Sequence, residues 1–125
     1  MKRIETSNAP AALGPYSQAW ISNGLLFVSG QIALIPGSGA IDGDTVAQQA
    51  ERCCHNVGAV LATAGLSYAD VVKTTCYLVN MRDFNTFNQV YAKFFITAPA
   101  RSCVAVRELP SGVLCEIEVI ATMEK

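Results

Sequence analysis

Pro99-Ala100-Arg101-Ser102-Cys103-Val104-Ala105-Val106, a short break, and then Cys115-Glu116-Ile117-Glu118-Val119-Ile120-Ala121 form two apolar runs near the end of the chain. Each is short and rich in β-branched residues, so each reads as a strand. Each also carries charge in its middle. Period-two alternation places Arg101, Cys103, Ala105 and Arg107 on one face of the first strand, with Ser102, Val104 and Val106 on the other. In the second, Glu116 and Glu118 share a face, opposite Cys115, Ile117 and Val119. Arginine and glutamate are rarely buried unless paired, and an unanswered charge inside a sheet costs several kcal/mol. Three readings follow: an Arg101–Glu116 ion pair, a solvated rim, or a pair of groups awaiting a ligand. A guanidinium fork suits a carboxylate, and a carboxylate on an adjacent strand can hold and deprotonate a water.

Working outward, Ala19-Trp20-Ile21 and Leu25-Leu26-Phe27-Val28 flank Ser22-Asn23-Gly24, a strong hairpin signal, and Gly30-Gln31 ends or bulges the second strand. Pro36-Gly37-Ser38-Gly39 and Asp42-Gly43-Asp44 are turns, with Asp44 or Thr45 as the cap of a following helix. Val46, Ala50, Cys53, Val57, Leu61 and Ala64 recur at helical spacing and lead to Gly65, which ends the helix. His55 falls on the opposite side of that helix, among Gln48, Arg52 and Asn56, where solvation is expected. Val71 to Val79 reads as a strand. Asp83 is expected to cap a second helix bearing Phe84, Phe87, Tyr91, Phe94 and Phe95 on one face, with Asn88 at its edge, bonded to backbone. Pro99 ends that helix. The order β-β-α-β-α-β-β predicts an α+β sheet with its helices on one face and the other face uncovered.

With 125 residues the chain is expected to form one domain, burying roughly 65–70% of its unfolded surface. A hydrophobic share of 51% against 15% charged residues leaves more apolar surface than a lone small domain exposes, so a subunit interface is expected. The net charge of −1 leaves no electrostatic footprint for nucleic acid. No apolar run reaches the roughly eighteen residues of a membrane span. Met1-Lys2-Arg3-Ile4-Glu5 resembles neither a secretory signal nor a transit peptide, so a cytoplasmic location is expected. Five cysteines without CxxC spacing read as reduced core thiols, and a single histidine gives little support to metal ligation or a histidine-based triad.

Further stretches carry a resemblance. Asn8-Ala9-Pro10, Gly14-Pro15-Tyr16-Ser17-Gln18 and Ser29-Gly30-Gln31-Ile32 are followed by Asn56-Val57, Ala64-Gly65-Leu66 and Val72-Lys73-Thr74-Thr75. Then come Asp83-Phe84, Asn88 with Tyr91 and Phe94-Phe95, Pro99-Ala100-Arg101-Ser102-Cys103-Val104 and Glu116-Ile117-Glu118. In this order, over nearly the whole chain, they resemble the reactive intermediate/imine deaminase family, RidA or YjgF, also known as the L-PSP endoribonuclease family. The resemblance implies a chorismate-mutase-like α+β subunit over residues 1–125, with a mixed β-sheet and two helices packed on one face. It also implies a homotrimer whose sheets form a central barrel, with three ligand clefts between subunits. The implied activity is hydrolysis of 2-imino acids, such as 2-aminoacrylate and 2-iminobutyrate, to 2-oxo acids and ammonia, without metal or cofactor.

Carried onto this chain, the resemblance makes Arg101 the clamp for a substrate carboxylate and Glu116 the group that positions water and relays a proton. The backbone of Cys103 would touch the water or the departing nitrogen, and Tyr16, Ser29, Gly30 and Asn88 would line the cleft. A thiolate mechanism at Cys103 finds no obvious histidine or lysine partner. The connection Ile96-Thr97-Ala98 is shorter than in typical members, which bears on pocket size. Two other readings stay in view: a non-catalytic carboxylate-binding trimer, and a single-stranded RNA endoribonuclease, against which the charge balance argues.

Overall fold

The hairpin forms where the Asn-Gly signal places it, with Asn23 at φ 53° and Gly24 at φ 73°, the two positive values a type I′ turn requires. It joins β2 (Ala19–Ser22) to β3 (Leu25–Ile32) in a computed structural model that describes residues 1–124. The remaining strands and α-helices are β1 (Lys2–Ile4), α1 (Val46–Thr63), β4 (Val71–Leu78), α2 (Phe84–Phe94), β5 (Ala100–Ala105) and β6 (Cys115–Thr122). They build a six-stranded mixed sheet in the order β1-β2-β3-β6-β4-β5. All neighbours are antiparallel except β4 and β5. The additional strand, β1, is three residues long, too short for alternation to show in the sequence; it is recruited by pairing with β2.

Helix α1 starts at the expected Thr45. The Thr45 Oγ1 accepts from the Gln48 backbone N–H at 3.2 Å, and the Gln48 side chain accepts from the Thr45 N–H in return. Its buried face contains Val46, Ala50, Cys53, Val57 and Leu61, as the periodicity requires, and Gly65 follows the helix at φ 78°. Two local expectations are corrected. Asn56 is fully buried rather than solvated, because its Nδ2 donates to the Ile32 and Leu34 carbonyls at 3.0 Å each where the chain leaves β3. Asp83 makes no capping bond; Asn80 Oδ1 instead accepts from the Arg82 N–H at 2.9 Å in the turn before α2. His55 is exposed, lying edge-on to Phe94 with ring centroids 5.2 Å apart.

One face of the sheet makes the core. Leu26, Val28, Thr74, Cys76, Leu78, Cys115, Ile117, Val119 and Ala121 are buried there against the helices. The opposite face is open and carries Trp20, Phe27 and Val104, each at least a third exposed. Cys53, Cys54, Cys76 and Cys115 are buried free thiols, and Cys103 is half-buried. Among the described residues no helix is long and apolar enough to cross a membrane.

Candidate functional site

Arg101 sits on the edge strand β5, opposite Thr74 of β4, so its side chain leaves the sheet on the helix-covered side. Helix α2 receives it. Arg101 Nη1 donates to Asn88 Oδ1 at 2.7 Å, and the guanidinium carbon lies 4.8 Å from the Tyr91 ring centroid and 5.6 Å from that of Phe84. Such a cation over an aromatic face gains about 0.5–2 kcal/mol, more as water is excluded. The Tyr91 ring is fixed in turn, because its hydroxyl and Thr74 Oγ1 share a hydrogen bond of 2.7 Å and the ring stacks on Phe95. Asn88 therefore bonds a side chain, where the sequence suggested a backbone partner. Among the described residues Arg101 has no carboxylate within ion-pair distance. Its fork is oriented by neutral groups and keeps its charge unanswered.

The ladder also sets the edge. The Val106 N–H donates to the Leu78 carbonyl at 2.7 Å, so in a parallel pairing the backbone groups of Val104 and Ser102 turn toward β4. Those of Arg101, Cys103 and Ala105 then point to the free side of β5. Arg101 and the Cys103 backbone N–H thus lie along one unpaired edge. Burial pushes the Cys103 thiol up, against a smaller opposing pull from Arg101, so the thiol stays protonated.

Glu116 belongs elsewhere. It pairs with Tyr77 on β4 and Ile32 on β3, and its side chain leaves β6 on the open face. Beside it β3 bulges: Ser29 and Gly30 together stand opposite the single residue Glu118. The Glu116 side chain lies against Gly30, where a built Cβ would come within 2.8 Å of Cδ and 3.1 Å of Cγ. Ser29 anchors the bulge by donating from Oγ to the Ser17 carbonyl at 2.6 Å, while its N–H donates to the Gln18 carbonyl at 2.9 Å. Buried Gln18 then staples the preceding loop, taking the Thr6 N–H and donating to the Thr6 and Pro10 carbonyls. Tyr16, exposed on that loop, borders a cavity of about 450 Å³ with Arg3, Thr6 and Gln18. Neither Arg101 nor Glu116 lines it. Burial, and secondarily the charge of Glu118, raises the Glu116 carboxyl above its ordinary range.

The expected residues therefore form two half-sites rather than one. Arg101, Asn88 and Cys103 lie at the β5 edge and helix side. Glu116, Gly30 and Ser29 lie on the open face, with Tyr16 on the loop that Ser29 and Gln18 tie down. The sheet separates them, and the ion pair entertained from the sequence does not form. Sequence reasoning missed three supports: the Thr74–Tyr91 bond under Arg101, the Gln18 staple, and the Asn56 tether behind β3. Only the aromatic periodicity of α2 hinted at the first.

A family model described as Endoribonuclease L-PSP matches residues 6–123. A Lactococcus lactis protein named as a candidate regulator, AldR, is 51% identical over 125 residues, with 99% of each chain covered. The human 2-iminobutanoate/2-iminopropanoate deaminase is 42% identical over 119 residues, covering 94% of this chain and 87% of its own. The crystal structure of Escherichia coli TdcF with bound serine superposes with a TM-score of 0.92 at 44% identity, covering 98% of each chain.

Proposed function

We propose that this chain, which belongs to the Endoribonuclease L-PSP family, hydrolyses small 2-imino acids such as 2-iminobutanoate and 2-iminopropanoate to 2-oxo acids and ammonia. The observation that carries the reading is the Arg101 guanidinium, braced by Asn88 and Tyr91 and left without a carboxylate partner among the described residues. A fork held this way suits the carboxylate of an incoming substrate. Two relatives support the chemistry: the human one is named for these imines, and TdcF was solved with serine, which bears a carboxylate next to its nitrogen-bearing carbon.

An imine carbon is already electrophilic, so orientation, an activated water and a proton path suffice. In the proposed cleft Arg101 holds the substrate carboxylate, and the backbone of Cys103 touches the water or the departing nitrogen. Glu116 takes a proton from a water as its oxygen bonds to C2. The C=N π pair moves to nitrogen, which takes the proton carried by Glu116. The carbinolamine then collapses: Glu116 takes the hydroxyl proton and delivers it to nitrogen, the oxygen's freed pair forms the carbonyl of the 2-oxo acid, and the C–N bond breaks to release ammonia. The raised Glu116 carboxyl suits this exchange, since a base works best near the operating pH. Tyr16, Ser29, Gly30 and Asn88 shape the cleft, Ser29 and Asn88 through the bonds given above.

Because Arg101 and Glu116 leave opposite faces of one sheet, we place the working cleft between subunits, with Arg101 from one and Glu116 from the next. The open face with Trp20, Phe27 and Val104 supports this assembly, since it offers apolar surface for burial against a second copy. A trimer whose sheets close into a barrel is the arrangement we propose.

The test follows ammonia release from 2-iminobutanoate generated in place by oxidation of the parent amino acid. Wild-type protein is expected to speed release over buffer, and Glu116→Gln to return it to the buffer rate. Equal rates with and without protein overturn the reading. Arg101-dependent cleavage of single-stranded RNA, without imine hydrolysis, would favour the activity in the family's description.

Gly30→Ala is a second expected result. Its methyl would occupy the space taken by the Glu116 side chain and force that flexible group aside. Imine hydrolysis is expected to fall about a hundredfold, the cost of a misplacement near 1 Å. The thermal midpoint should stay close to wild type, because the group displaced is a side-chain end and not backbone. Unchanged activity would show that Glu116 does not act from its seat on Gly30.

A further inference from the structure

The second carboxylate of β6 has no part in the mechanism above, yet it accepts a side-chain hydrogen bond. Glu118 stands two residues from Glu116 on the same open face, opposite Thr75. The Tyr77 hydroxyl, reaching from the residue opposite Glu116, donates to Glu118 Oε1 at 2.5 Å. We propose that the Tyr77–Glu118 pair is a positioning device for Glu116: it holds a second carboxylate beside the water-holding one and, together with burial, sets when Glu116 carries a proton.

The geometry fixes the place of the Glu118 carboxylate, because the Tyr77 hydroxyl tethers it from the neighbouring strand. The same bond pushes Tyr77 up to about 12, so its proton stays where it can be donated. Strand alternation puts the two carboxyl groups on successive outward positions of one strand, and like charges so placed oppose one another's ionisation. Glu118 accordingly acts on Glu116 in the same sense as burial, raising it.

Other charged groups around the pair are few. On β4 the open face also carries Lys73, whose Nζ donates to Thr75 Oγ1 at 3.4 Å. Strands β3 and β2 carry no ionisable side chain. On β5, Arg101 and Cys103 leave by the helix-covered face. Among the described residues the titratable groups around the pair are thus Lys73, Tyr77 and, from α1 beneath the sheet, the buried Cys53 thiol, which itself feels the Glu116 charge.

The catalytic meaning of this device rests on Glu116 being the group that activates water, but its existence does not. The test is therefore a ¹³C carboxyl NMR titration of the intact assembly, run on wild type, Glu118→Gln and Tyr77→Phe. Glu118→Gln preserves shape and an acceptor for Tyr77 while removing the charge. The Glu116 midpoint is expected to move to lower pH in that variant. In Tyr77→Phe, which removes the tether on Glu118, the Glu116 midpoint is expected to move in the same direction by a smaller amount. The acid limb of imine hydrolysis should follow Glu116 downward, so that Glu118→Gln is several-fold faster than wild type on that limb. A Glu116 midpoint that stays put or rises in Glu118→Gln overturns the proposal. A midpoint that moves while hydrolysis is absent in every form leaves the device standing and overturns the deaminase reading.

Discussion

Replacing Arg101 with alanine is expected to reduce imine hydrolysis about 10²- to 10⁴-fold while the protein stays folded. Two charge-assisted hydrogen bonds to a substrate carboxylate are together worth about 3–5 kcal/mol, and each 1.36 kcal/mol is a factor of ten in rate. The loss should appear in kcat/KM, because an unclamped substrate also fails to present C2 to the water. Lysine at the same position keeps the charge but not the planar fork, and should recover only part of the loss. Arg101 lies over the Tyr91 ring, so its removal also uncovers apolar surface. Circular dichroism and the thermal midpoint separate that effect from the kinetic one. Wild-type kinetics in Arg101→Ala would mean that the carboxylate is held elsewhere.

Mixing two inactive variants should restore activity. Arg101→Ala lacks the clamp and Glu116→Gln lacks the base, so each alone has no complete cleft. If one subunit supplies Arg101 and its neighbour supplies Glu116, a cleft is intact when the first comes from the Glu116→Gln pool and the second from the Arg101→Ala pool. Random assembly of an equal mixture gives that arrangement at about a quarter of interfaces, so about a quarter of wild-type activity should return after co-refolding. Restoration needs both pools in one oligomer, and simple mixing without subunit exchange provides the control. No recovery after verified exchange would place both groups in a cleft of one subunit, against the register that turns Arg101 toward α2 and Glu116 toward the open face.

Much of this was readable from the chain. The Asn23-Gly24 turn, the Thr45 cap, the helical spacing from Val46 to Leu61 and the alternation around Glu116 are local properties. Each is decided by residues within a turn or two, and each appears as expected. Where local rules failed, a distant group had intervened. Asn56 looked solvated on its helix but is claimed by two carbonyls beyond β3. Asn88 looked like a boundary residue but is claimed by Arg101 from the next strand. Strand β1 exists only because β2 offers it an edge.

The sequence by itself determined the α+β architecture, the outward pairing of Glu116 with Glu118, and the presence of an arginine in an apolar strand. Short-range sterics and hydrophobic periodicity are sufficient for these. Only the tertiary structure decided that Arg101 and Glu116 do not meet within the subunit. That outcome depends on which strands become neighbours: β4, parallel to β5 and antiparallel to β6, opposes Arg101 with Thr74 and Glu116 with Tyr77. Those two residues are three apart on one strand, an odd separation, so the pleat sends the two charges to opposite faces. Alternation within either strand alone carries no information about that register, because strand pairing is set by contacts between segments far apart in the chain.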